Sequence, residues 1–161
     1  MITMENSKQN SHQSNYTKFI LMLLASFIAM YITMYLNTYE IDHVYFSLTR
    51  FYMSCLGIAA MAIIMLLFMW NMYKNKTKNY AIVLGSIFLF TSALYLVRSQ
   101  KPIDDISWMK AMIPHHSIAI LTSGRADLKD AEVKKLAEEI IKAQEKEIEQ
   151  MKEMIKRLEK N

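Results

Sequence analysis

The sequence predicts an all-α protein: three transmembrane helices followed by a helical hairpin. Three observations lead there. Among 161 residues there are only three Gly and two Pro, so the breakers that turns and irregular loops draw on are scarce. Residues 19–36, 51–72 and 81–97 contain no charged side chain, and each run reaches the roughly 17 to 25 residues a helix needs to cross a hydrocarbon core. Beyond residue 97 the apolar residues recur at steps of three and four, the period of amphipathic helices.

In chain order, residues 1–18 read as a polar tail with Lys8 and Lys18, and the solvated His12 belongs to it. The first apolar run is longer than the core of a signal peptide and no small-x-small cleavage site follows it, so it reads as a retained anchor. Residues 19–97 then form a three-span membrane anchor. The connection after the second run, YKNKTKN, carries Lys74, Lys76 and Lys78, whereas the connection after the first holds Glu40 and Asp42 against Arg50. Positive residues stay on the cytoplasmic side, so the amino terminus and the lysine loop are expected inside and everything after Val97 outside. Arg98 and Lys101 pull weakly against this. Aromatic residues suit the membrane borders: Trp70, Tyr73 and Tyr80 at one face, Tyr35, Tyr39 and Tyr45 at the other.

Dividing the charge removes one class of function. Residues 98–161 hold 13 Lys and Arg against 12 Asp and Glu, so the excess of +4 lies in the tail and loops and no basic stripe is left for nucleic acid. Cys55, the single cysteine, lies in the second run, which excludes an intrachain disulfide framework or a CxxC metal site.

A linker at 98–104 leads to an exterior hairpin at 105–161. Asp104, after Pro102, is placed to cap a helix that runs to about Ser123. Gly124 and RADLKD interrupt the pattern, and Asp130 is placed to cap a second helix to about Leu158. Pairs such as Glu138 with Lys142 and Glu153 with Arg157 belong to its solvated face. The three-four period puts Ile106, Met109, Ile113, His116 and Ile120 on one seam, and Ala137, Ile140, Gln144, Glu147, Met151, Met154 and Leu158 on the other. At 100° per residue, Met112 points between His115 and His116, and these two histidines diverge from each other by as much. Pro114 either distorts the helix just before the histidines by freeing the Lys110 carbonyl or starts a helix at its first turn.

MIPHHSIAI, an interval of about a dozen residues, and LAEEIIKAQEKEIEQM together resemble the family catalogued as domain of unknown function 305. Its marks are a Met-x-Pro-His-His helix and a Gln-x-x-Glu-Ile-x-x-Met helix. They fall here on Met112, Pro114, His115, His116, Gln144, Glu147, Ile148 and Met151, within residues 103–158. The chain departs from many relatives at Ser117 and Ile155. The resemblance implies a ferritin-like helical fold and an association with copper in bacterial envelopes; it is silent about the three apolar runs.

Two readings of the hairpin follow. In the first, His115, His116, Met112, Glu147 and Met151 hold a metal ion, with Gln144, Met109 and Met154 in support. Imidazole and thioether favour copper, Cu(I) above all, and the carboxylate leaves zinc or iron open. In the second, His116 and Glu147 satisfy each other as a polar clasp in a structural module that assembles membrane complexes. His43, beside Glu40 and Asp42, is a possible auxiliary ligand. Met61, Met65, Met69 and Met72, with Met30 and Met34, read as flexible apolar packing within the spans. An enzyme is the weaker class, since the exterior region pairs no Ser or Cys nucleophile with a base and has no phosphate-binding glycine loop. The leading expectation is a multi-pass protein of the bacterial plasma membrane whose periplasmic or extracellular domain buffers or relays copper, served by a copper-transport partner. A hairpin this short buries little by itself, so a homo-oligomer that completes a four-helix bundle is expected.

The orientation is open to a direct check. In intact cells a Ser107→Cys variant should react with an impermeant thiol reagent. Labelling only after lysis would reverse the topology.

Overall fold

The computed structural model describes residues 2–160, with side chains from Asn15 onward; Lys8 and His12 lie outside the described side chains. Its helices are α1 (Ile2–Thr33), α2 (Leu48–Phe68), α3 (Lys76–Ser99), α4 (Asp105–Arg125) and α5 (Ala131–Leu158), with a 3-10 turn at Ile41–His43. No strand occurs among the described residues, and the all-α expectation holds. Three segments are long and apolar enough to cross a membrane: Asn15–Thr33, Leu48–Phe68 and Lys76–Ser99.

The helix ends depart from the charge-free runs because backbone caps set them. The Asn75 side chain accepts the Lys78 N–H at 3.0 Å, so α3 starts among lysines rather than at Ala81. Ser47 Oγ accepts the Arg50 N–H at 3.2 Å and starts α2 before Phe51.

The chain forms two compact units. The first comprises Met1–Tyr31 and Phe51–Gln100. Its core gathers Tyr16, Phe19, Ala62, Leu66 and Tyr73, with Met65 and Met69 packed against them. At one end the Tyr16 hydroxyl donates to Asn79 Oδ1 at 2.7 Å, and Asn79 Nδ2 donates to the Tyr73 carbonyl at 2.8 Å. Asn79 is buried, and these bonds meet the requirement that a polar group without water must find protein partners. A Cβ on Gly57 would fall 2.7 Å from Met30 Sδ, so this glycine lets α1 and α2 approach and Met30 fills the space. The methionines of the spans therefore include side chains engaged in packing.

The second unit comprises Ile32–Arg50 and Lys101–Asn161, which brings the loop between α1 and α2 into one body with the hairpin. Asp104 Oδ1 accepts the Ser107 N–H at 2.7 Å and starts α4; Asp130 Oδ1 accepts the Glu132 and Val133 N–H groups at 2.9 Å each and starts α5. Both expected caps are present. Pro114 lies within α4 and is fully buried, so it does not start a helix; it withholds the N–H that the Lys110 carbonyl would otherwise receive.

The core of this unit is Met109, Ile113, Ile120, Ile148, Met151 and Ile155, with Tyr45, Met112, Ile141 and Leu158 packed against it. This corrects the expected seam of α5. Its buried line follows Ala137, Ile148, Met151 and Ile155, which turns the helix by roughly 50° from the face that centred on Gln144 and Glu147. The heptad Ile141, Ile148, Ile155 offers aliphatic surface at every second turn, whereas the expected face would have buried an amide and a carboxylate. Glu147 and Met154 accordingly sit at the border and are exposed. Among the described residues no ion pair closes between Glu138 and Lys142 or between Glu153 and Arg157; α5 instead reaches out through Lys152 to Asp42, and Glu159 just beyond it pairs with Lys110.

Truncating the seam should cost heavily. Ile113→Ala removes a side chain with no exposed surface and should lower stability by about 2–5 kcal/mol, while Lys142→Ala, at an exposed position, should change it by less than about 0.5 kcal/mol. Denaturant titration followed by circular dichroism compares the two.

Candidate functional site

α4 presents His116 at the edge of its apolar stripe, where α5 presents Glu147. The imidazole Nε2 lies 2.8 Å from Glu147 Oε2, and the imidazole Nδ1 lies 2.9 Å from the backbone carbonyl of Met112 one turn earlier. A carbonyl has no proton to give, so Nδ1 carries the hydrogen and donates it. At 2.8 Å only a proton fits between Nε2 and the carboxylate oxygen, whereas a metal ion bound to both at roughly 2.0–2.2 Å would sit to one side of the pair. One nitrogen is thus tied down by a backbone carbonyl and the other meets the carboxylate of the neighbouring helix.

The burial of the pair is unequal. The His116 side chain is 14% exposed and that of Glu147 50%. Glu147 therefore keeps much of its hydration, and the expected burial of this carboxylate is not what the fold delivers. One side of the site is apolar core and the other opens to solvent.

The remaining expected ligands are distributed around this pair. Met109 and Met151 are buried in the core, and Met112 packs against it from a partly buried position. His115 is exposed, its ring centroid 6.2 Å from that of His116 with the planes at 69°. Gln144 is half-buried on α5, and Met154 is exposed. The structure thus brings His116, Glu147 and the Met112 carbonyl together directly, gathers Met109, Met112 and Met151 into the adjoining core, and leaves His115 and Met154 at the surface.

A second polar group adjoins α4. Ser117, fully buried, accepts the Tyr39 N–H on Oγ at 2.8 Å and lies 3.0 Å from His43 Nδ1. His43 is buried as well, and its Nε2 stands 3.7 Å from Glu40 Oε2 and 3.8 Å from Asp42 Oδ1. Lys152 Nζ donates to Asp42 Oδ2 at 2.6 Å and holds that carboxyl below its usual range. Burial pushes the His43 imidazole below its ordinary value, Lys152 acts in the same sense, and Asp42 and Glu40 oppose it. The sequence pairs His43 with its two acidic neighbours; the parts that it hides are Ser117 and Lys152, which reach the loop only through the fold. The signal was a small hydroxyl inside an apolar run directly after His116.

The loop is folded by its own contacts as well. The Ser47 N–H donates to the Tyr35 hydroxyl at 3.1 Å, and the Arg50 guanidinium stacks 4.4 Å above the Tyr35 ring and bonds to the Met34 carbonyl.

These features define an all-helical protein with three helices apolar enough for a membrane and a hairpin bearing a histidine–carboxylate pair. The chain belongs to the family described as Domain of unknown function (DUF305), which matches residues 95–160. It is 35% identical over 117 residues to an uncharacterized protein of Acanthamoeba polyphaga mimivirus, a match spanning 71% of this chain and 75% of that protein. That match is longer than the hairpin, so the likeness reaches into the apolar helices. No solved structure matches.

Ser117→Ala would leave the Tyr39 N–H and the His43 imidazole without their buried partner. It should lower the stability of the hairpin unit by about 1–3 kcal/mol. Hydrogen exchange at Tyr39, faster in the variant than in the parent, would locate the loss in the loop.

Proposed function

We propose that this chain is a membrane-anchored metal-binding protein whose hairpin holds copper outside the cytoplasm and buffers or relays it there. The observation that carries the reading is the His116 imidazole, with Nδ1 fixed on the Met112 carbonyl and Nε2 aimed at Glu147. A neutral imidazole held in this tautomer is a ready ligand, and Glu147 either joins the ion or steadies it. Met112 and Met151 supply the soft donors of the same apolar neighbourhood, which favours Cu(I) over harder ions; zinc or iron would rely on His116 and Glu147. His115 is placed to add a ligand from the solvent side.

The lysine distribution supports an amino terminus in the cytoplasm and a hairpin in the periplasm or at the cell surface. Trp108, Val133, Leu136 and Met154 are exposed apolar side chains on the hairpin, consistent with two hairpins pairing into a four-helix, ferritin-like bundle. A copper-transport partner would take the ion from the exposed edge at Glu147.

The clasp is the second reading, and the 2.8 Å contact between His116 and Glu147 favours it, since a protonated histidine completes that pair without metal. The two readings separate on four variants measured for both copper affinity and thermal stability. With a copper site, His116→Ala abolishes tight binding, Met112→Leu and Met151→Leu weaken Cu(I) more than Cu(II), and Glu147→Gln acts mainly on the divalent ion. With a clasp alone, His116→Ala changes stability by only about 1 kcal/mol or less, because Glu147 is half in water, and copper affinity stays where it was. Unchanged affinity in all four variants would dispose of the copper reading.

A further inference from the structure

Outside the His116 neighbourhood, one group of side chains is arranged as ligands. Glu40 precedes the 3-10 turn Ile41–His43 and Asp42 lies within it, and their carboxylates converge on a single imidazole nitrogen, His43 Nε2. One ligand atom from each of the three residues lies within 4.8 Å of the others. The separations of 3.7 and 3.8 Å from Nε2 exceed hydrogen-bond length. They lie a little outside the roughly 3.3–3.6 Å that separates donors held tetrahedrally at 2.0–2.2 Å from one zinc, a gap that a small side-chain rotation of Glu40 or Asp42 closes.

Acidic side chains in a loop would by themselves indicate nothing. The second observation is His43, which is 6% exposed. Its Nδ1 contacts Ser117 Oγ inside the hairpin, so the ring cannot turn its other nitrogen elsewhere. Nε2 is left without a hydrogen bond and aimed between two carboxylates. A ring nitrogen that faces two carboxylates needs a positive partner, and a cation is a partner that also balances the Glu40 charge, Asp42 being already paired with Lys152.

We infer that Glu40, Asp42 and His43 form a second metal site, distinct from His116, that takes a borderline divalent cation of the Zn(II) type. The donor set is one imidazole and two carboxylates with no sulfur, which suits Zn(II) and disfavours Cu(I). Ser117 orients the imidazole, and Lys152 orients Asp42 through Oδ2 while Oδ1 faces the site. The Lys152 charge opposes a cation, so the site binds more weakly than a carboxylate pair free of it would. Because His43 rests on α4 and Asp42 on α5, an ion here fastens the loop between α1 and α2 onto the hairpin.

The test uses the untagged full-length chain in detergent micelles carrying His116→Ala, which removes the other site, and Zn(II) as the probe in equilibrium dialysis. One zinc per chain should be retained. Adding Glu40→Gln, an exposed and nearly isosteric change, should weaken binding tenfold or more while leaving the metal-free melting temperature unchanged. His43→Gln should abolish it. With Co(II) in place of zinc, visible absorption bands of imidazole-ligated cobalt should appear and disappear with the same substitutions. Absence of zinc binding in the His116→Ala chain, or binding indifferent to Glu40→Gln, would overturn the assignment. Zinc loss confined to His116→Ala would point to the copper site alone and would leave the proposed function standing.

Discussion

The hairpin depends on one strip of apolar contact between α4 and α5, running from Met109 through Ile113 and Ile120 on one side and Ile148, Met151 and Ile155 on the other. Two helices have a single shared face, so the strip is filled by aliphatic and thioether side chains and a carboxylate is forced to the border. His116 and Glu147 meet at that border. Their position follows from the packing: a turn of α5 that placed Glu147 at the centre would expose Ile148 and strand a carboxylate in the core. The exposed edge that results is also where an ion could enter and leave.

A hairpin alone leaves its remaining faces uncovered, and the loop between α1 and α2 covers part of one. Tyr45 packs against the apolar strip, Tyr39 and His43 bond to Ser117, and Asp42 pairs with Lys152. The loop brings main-chain and side-chain polar groups close to α4, where Ser117 supplies the hydroxyl that satisfies them. One small buried residue thereby couples a segment far earlier in the chain to the helix that carries His116.

Much of the fold was legible because its signals are local. Charge-free runs reveal helices fit for a membrane, and Asp104 and Asp130 announce the starts of α4 and α5 through a side-chain oxygen and two or three residues of spacing. The pairing of His116 with Glu147 was legible as well, since both lie on three-four series. The rotation of α5 was not. Gln144, Glu147 and Met154 keep the same period as Ile141, Ile148 and Ile155, and periodicity fixes the existence of a face more firmly than its centre. The contacts of Ser117 and Lys152 were illegible for another reason: they join residues 74 and 110 positions apart, and no spacing rule reaches that far.

The proposed copper ligand is a histidine held by a backbone carbonyl at the edge of an apolar strip, beside methionines. X-ray absorption at the copper edge, on the full chain loaded with one equivalent of Cu(I), reads the ligands directly. Imidazole scattering and sulfur scattering should both be present in a mixed shell, with the imidazole component lost in His116→Ala. A shell without imidazole, or one that His116→Ala leaves unaltered, would contradict that ligand assignment.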